Sequence, residues 1–254
     1  MPAIRPQPAG EAFCFSCHPG LACFTDCCRS LDLALYPYDV LRLRQALGVD
    51  WDTFLDRYAV IETPEGARTP QVFLAMIDDG RASCPFVAPA GCTVYPHRPG
   101  ACRAYPVGRA VRHDPETGLE EFFVLVREEH CLGFGEPQPV TIPDWLQGQG
   151  LGVYNEMNDA FLAARRQPVV QQALAGSPQF GLAMIRILYD LDGLSRSLDG
   201  PLGPVLMNGL APEAQAGLAA DPYALLCQAT SVLSELARHA DRLPSWLAAS
   251  QARG

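Results

Sequence analysis

The chain of 254 residues contains no lysine, and all nineteen of its basic residues are arginine. That absence excludes a P-loop lysine, a Schiff-base lysine for pyridoxal phosphate and any lysine general base. Compositional bias replacing lysine with arginine is enough to account for it, and the exclusion holds either way. Positive charge is also in the minority, with a net charge of −9 and an isoelectric point near 5.0. Nucleic acids and anionic membranes select a basic face, so neither is an expected partner. No segment approaches the ~20 consecutive apolar residues of a membrane helix. The opening Met1-Pro2-Ala3-Ile4-Arg5-Pro6 lacks the apolar stretch of a secretory signal, so a cytoplasmic location is expected. There is no G-x-S-x-G elbow. The start of a CxxxCxxC pattern at Cys23 and Cys27 fails because position 30 is Ser30, which argues against a radical S-adenosylmethionine enzyme.

What is abundant is cysteine. Nine of the ten lie between residues 14 and 131, five of them within Phe13–Arg29, F-C-F-S-C-H-P-G-L-A-C-F-T-D-C-C-R. Closely spaced thiolates repel and thiols oxidise unless something binds them, so metal coordination is the simplest reason for such a run. In a reducing compartment a disulfide framework is the weaker reading. With 48% hydrophobic residues the chain can bury a full core, so a metal is not needed merely to fold all of it.

Along the chain, Leu31–Tyr36 alternates like a short strand. Pro37 can open a helix through Val40, Leu41, Leu43 and Leu47, which Gly48 would end. Asp50 or Asp52 is placed to cap a second helix through Phe54 and Tyr58, Thr63–Gly66 reads as a turn, and Gln71–Ile77 reads as a strand closed by Asp78-Asp79-Gly80. Val107–Arg112 and Glu121–Val126 predict a hairpin around a polar turn at His113–Gly118. The Gly- and Pro-rich stretch 133–143 is the best domain boundary, and helical periodicity follows over Trp145–Arg166, Phe180–Leu191 and Tyr223–Ala240. Gly148, Gly150 and Gly152 form G-x-G-x-G with no strand before them, so a loop is preferred to a nucleotide site. The expected fold is α+β: a small cysteine-rich metal-binding domain of short strands and helices at 1–135, then a mainly helical region at 136–254.

Cys17, Cys23, Cys27 and Cys28 supply four soft donors within twelve residues, enough for one tetrahedral or cubane site. Cys84, Cys92, Cys102 and Cys131 match them in number. Whether each quartet makes its own site or the two mix stays open at this point. His18, His97 and His130 neighbour these cysteines and are candidate ligands or proton carriers, with a supporting role the commoner use. Arg29, Arg98, Arg103, Arg109 and Arg112 are near in sequence and can offset thiolate charge or simply face solvent. Arg127-Glu128-Glu129-His130 sets carboxylates and an imidazole beside Cys131, a proton-transfer candidate that also reads as a polar strand end. Cys227, on the apolar stripe of Tyr223 and Leu226, reads as a buried structural thiol.

Read in order, C-H-P-G-L-A-C-F-T-D-C-C, L-x-L-x-x-Y-P-Y-D-V-L-R-L, C-P-F-V, G-C-T-V-Y-P-H-R-P-G-A-C-R-A-Y-P-V-G-R and H-C-L-G-F resemble the YkgJ-type cysteine-cluster family, the CxxCxxCC zinc- or iron-chelating domain. The resemblance covers Phe13–Phe134, with a weaker echo in W-L-x-x-Q-G-L from Trp145. The first motif is stretched to Cys17-x5-Cys23-x3-Cys27-Cys28, and Cys14 stands as an extra thiol. The resemblance implies metal or iron–sulfur binding. A related domain in the flagellin lysine methylase implies methyl transfer as one activity. Among the metals, structural zinc favours paired CxxC knuckles and only Cys14-Cys17 supplies one, whereas Cys84-Pro85 is ferredoxin-like and Phe13, Phe15, Phe24, Phe86 and Tyr95 can shield a cluster. The expectation is therefore one or two iron–sulfur clusters, of the [4Fe-4S] type, on the eight cysteines, for electron transfer or substrate binding, with an unidentified redox or protein partner. The alternatives are a zinc-held interaction module and a cluster-dependent, methyltransferase-like enzyme.

Overall fold

The computed structural model describes residues 3–67, 69–114 and 118–251. Among them are thirteen helices and several small antiparallel sheets, an α+β fold. In chain order come β1 (Ala3–Pro6), β2 (Phe13–Cys14), a 3-10 turn at Asp26–Cys28, α1 (Pro37–Leu47), α2 (Trp51–Tyr58), β3 (Ala59–Glu62) and β4 (Gln71–Leu74). Next are β5 (Val87–Ala88), β6 (Gly91–Cys92), a 3-10 turn at Tyr95–His97, α3 (Gly100–Ala104), β7 (Val107–Asp114), β8 (Gly118–Arg127), a 3-10 turn at Gly133–Gly135 and β9 (Pro139–Val140). Helices follow: α4 (Ile142–Gly148), α5 (Gly152–Arg166), α6 (Pro168–Gly176), α7 (Pro178–Tyr189), α8 (Leu191–Arg196), α9 (Gly203–Leu206), α10 (Pro212–Leu218), α11 (Pro222–Ser231), α12 (Leu233–Ala237) and α13 (Leu243–Gln251). No helix among the described residues is long and apolar enough to cross a membrane.

The chain forms two compact units, Met1–Leu33 with Met76–Asn155 and Ala34–Ala75 with Glu156–Gly254. In the first, β1, β8 and β7 make an antiparallel sheet in that order, with Val107 opposite Leu125 and Ala3 opposite Arg127. The predicted hairpin is present, and residues 115–117 of its turn lie outside the described residues. Strand β2 pairs with β9, Phe13 opposite Val140. The core is small: Phe13, Phe15, Val107 and Ile142, ringed by partly buried aromatics. Phe15 meets Phe134, Trp145 and Tyr105 edge-on at 5.1, 5.5 and 5.8 Å between centroids. The Trp145 Nε1–H donates to the Ala104 carbonyl at 2.8 Å. The three glycines after Trp145 are a helix link: Gly148 ends α4, Gly150 takes φ 63° between the helices and Gly152 starts α5.

The second unit is built on fully buried apolar side chains, among them Trp51, Phe54, Phe180, Ile187 and Leu188. Pro37 opens α1 with its φ preset, and Gly48 closes it at φ 64° with its N–H on the Arg44 carbonyl. Asp50 caps α2 by accepting the Thr53 N–H at 2.8 Å. The stripe Phe180, Met184, Ile187 and Leu188 is buried in α7, and the pattern predicted over Tyr223–Ala240 divides at Val232 into α11 and α12. Two expected strands are shorter than predicted. Within Leu31–Tyr36 only one bridge forms, Ala34 to Phe73, because Pro37 turns the chain into α1 at once. Strand β4 stops at Leu74, and Ile77 instead bridges Ser83 across a turn with Gly80 at φ 75°.

Candidate metal centre

Hydrogen bonds along the first cysteine run coil it tightly. The N–H groups of Leu21, Phe24, Asp26 and Cys28 donate to the carbonyls of His18, Leu21, Cys23 and Thr25, each at 3.0–3.1 Å, so successive thiols are gathered instead of strung out. Among the described residues, the non-glycine residues with positive φ are Thr25 (70°), Ser30 (51°) and Ala82 (47°). That conformation is costly for residues with a Cβ and persists where surroundings impose it. Here it flanks Cys27-Cys28 and the segment paired with them.

Two sets of long-range hydrogen bonds hold this coil. On one side the Phe15 N–H reaches the Gln138 carbonyl at 3.3 Å, the Ser16 N–H reaches the Gly133 carbonyl at 3.1 Å and the Leu132 N–H reaches the Cys23 sulfur at 3.3 Å. On the other, Arg29 bridges Ser83, the Ser30 N–H donates to the Ala82 carbonyl and the Cys84 N–H to the Cys28 carbonyl, both at 2.8 Å. From Cys84 the chain turns, its sulfur accepting the Phe86 N–H at 3.5 Å, and β6 places Cys92 opposite Val87. The Ser83 hydroxyl beside Asp79 holds that carboxyl below its usual range and braces the turn before Cys84.

All ten cysteines are free thiols. Burial pushes the Cys17 thiol up to about 11, and Cys27, Cys23 and Cys131 add their repulsion in that order. Cys27 is raised further, first by the adjacent Cys28 thiol, then by burial and by the Glu128 carboxylate. Burial raises Cys84, with Cys92 and Cys27 adding to it, and also raises Cys92, where Arg98 pulls the other way. Crowded sulfur donors that burial and mutual repulsion keep protonated are what a soft cation relieves, so the donor set fits zinc or iron–sulfur chemistry. The thiols form a gathering and not a closed coordination shell: among the described residues no three His, Cys, Asp or Glu side chains stand ready to hold an ion.

The remaining candidates divide. Cys102 is exposed on α3, and Arg98 acts on both it and Cys92 while its guanidinium lies 3.7 Å from the Tyr95 ring centroid. Cys14 is exposed on β2, and Cys227 donates to the Met157 sulfur at 3.7 Å in the other unit. His18 has both nitrogens engaged, Nδ1 accepting the Gly20 N–H at 3.2 Å and Nε2 lying 3.3 Å from Glu136. His97 sits in the 3-10 turn after Val94, and His130 Nε2 is 3.4 Å from Glu128. Arg29 pairs with Asp26 at 2.7 Å, Arg103 lies over the Tyr154 ring at 4.7 Å, and Arg109 and Arg112 pair with Glu121 and Glu120 across the hairpin, each at 2.6 Å. The last two serve the sheet because cross-strand register puts carboxylates beside them.

Sequence reasoning missed Tyr105. Its hydroxyl is buried with no hydrogen-bond partner among the described residues, and burial first, with the neighbouring Cys131 thiol next, raises its ionisation far above the usual range. The signal available was only its place in R-A-Y-P, three residues after Cys102. Glu128, read as a strand end, points a buried oxygen into the same neighbourhood.

Residues 16–132 match the model of the family described as "CxxCxxCC: Putative zinc- or iron-chelating domain". That span holds all eight cysteines from Cys17 to Cys131 and omits Cys14 and Cys227, and the match supports a metal-binding, cysteine-rich domain there. No curated protein and no solved structure matches the chain.

Proposed function

We propose that Cys17, Cys23, Cys27, Cys28, Cys84, Cys92, Cys102 and Cys131 hold iron–sulfur clusters, of the [4Fe-4S] type, used for electron transfer or for binding a substrate at the cluster. The observation that supports this reading is that the segment of Cys17 and Cys23 and the segment of Cys131, about a hundred residues apart in sequence, are joined by the β2–β9 pair, by Ser16 on Gly133 and by the Leu132 N–H on the Cys23 sulfur. Cys131 packs against the cluster of Phe15, Phe134 and Trp145, and Phe86 is buried two residues from Cys84. A bound cluster supplies a one-electron couple or an open iron. The chain's own part is to bind through sulfur, to set the buried Tyr105 hydroxyl beside Cys131 and to donate the Leu132 N–H to Cys23. Ten free thiols support a reducing, cytoplasmic location, and the negative balance supports a redox or protein partner in place of a polyanion.

The test is anaerobic purification with visible absorbance and with iron, sulfide and zinc counted. A brown protein that bleaches on Cys27→Ser or Cys28→Ser is expected, whereas a colourless protein with stoichiometric zinc replaces this reading with a zinc-held module. Titration with S-adenosylmethionine then separates carrier from methyltransferase: a spectral shift is the enzyme's signature.

A further inference from the structure

Resting on the metal-binding reading above, we infer that the cysteines divide by space and not by sequence order: Cys131 belongs to one centre with Cys17 and Cys23, and Cys28 goes with Cys84 and Cys92 in a second.

The backbone stitching separates the two sets. The 13–23 segment is joined to 131–140 by the β2–β9 pair, by Ser16 on Gly133 and by Leu132 on the Cys23 sulfur. Gly133 is pressed so closely on this segment that a Cβ there would lie 2.7 Å from the Phe15 ring and 2.8 Å from the Ser16 carbonyl. The 28–30 segment is joined instead to 82–84, and Cys84 reaches Cys92 through the short β5–β6 ladder. The chain crosses from one set to the other within a single residue. The Asp26 N–H still bonds back to Cys23 on the first side, while the Cys28 carbonyl already accepts from Cys84 on the second.

Serine variants of the full chain, reconstituted anaerobically with iron and sulfide, read out the division as metal content. Cys17→Ser, Cys131→Ser and Cys84→Ser should each lose about half of the iron, with the far-UV helical signal retained. The double variant Cys17→Ser/Cys131→Ser should lose no more than either single one, and Cys131→Ser/Cys84→Ser should be empty. The inference is overturned if Cys131→Ser/Cys84→Ser keeps half while Cys17→Ser/Cys131→Ser is empty, or if any single variant loses everything. A second measurement needs no metal: dibromobimane cross-linking of the reduced wild-type chain, mapped by peptide mass spectrometry, should join Cys131 to Cys17 or Cys23, and Cys84 to Cys92. Links from Cys131 to Cys84 or Cys92 overturn the division. Wild-type protein that takes up neither iron nor zinc overturns the metal-binding reading, and the cross-links then still decide how the thiols are grouped.

Discussion

Tyr105 shows how much one side chain decides at a thiol site. Its ring packs edge-on against Phe15 at 5.8 Å and its buried hydroxyl, without a hydrogen-bond partner among the described residues, neighbours Cys131. Groups that orient a ligand without touching the metal typically change affinity by 10–100-fold when removed. Tyr105→Phe keeps the ring and removes the hydroxyl beside Cys131, so about a tenfold weaker hold on metal is expected in chelator competition, with the helical circular dichroism unchanged. Unchanged competition would make the hydroxyl incidental. Cys227, by contrast, lies in the helical unit against Met157, where it behaves as a small apolar filler.

At the scale of elements, the turn after Cys131 and the strand before Cys17 depend on a contact that only glycine permits. Gly133→Ala would drive a methyl into both the Phe15 ring and the Ser16 backbone. Overpacking of that kind costs about 1–3 kcal/mol, so a lower melting temperature together with metal loss is expected, since Leu132 and Cys131 move with the turn. In α7 the opposite substitution is informative: Leu188 is 0% exposed, and Leu188→Ala should cost about 2–5 kcal/mol in urea unfolding without changing metal content. Caps and stops of these elements were legible from residue type, as Gly48 and Asp50 show, because a cap is decided by neighbours three or four positions away. Strand extent was not. Leu31–Tyr36 alternates correctly, yet a strand also needs a partner along its length, and β4 offers it one bridge.

At the scale of the whole molecule the two units differ in how they are held. The unit of Ala34–Ala75 and Glu156–Gly254 has an extensive apolar core, whereas that of Met1–Leu33 and Met76–Asn155 gathers its buried side chains around Phe13, Phe15, Val107 and Ile142. Small cores of this kind draw on metals or cross-links for stability. Stripping metal with a chelator should therefore raise the protease sensitivity of residues 14–33 and 84–131 and leave most of the far-UV helical signal in place, as limited proteolysis and circular dichroism would report. Complete loss of helicity would show that the two units do not unfold separately.

By itself the sequence determined the donor chemistry, the family of the cysteine segment, the mixed α+β class and the position of most helices, because residue type and short-range periodicity carry that information. Tertiary structure decided which cysteine-bearing segments are joined, that residues 34–75 fold into the helical unit, and that the Tyr105 hydroxyl is buried. The reason is physical: a cap or an amphipathic stripe is written in adjacent residues, whereas the meeting of Cys17 with Cys131 depends on backbone hydrogen bonds and packed rings contributed by segments far apart in the chain.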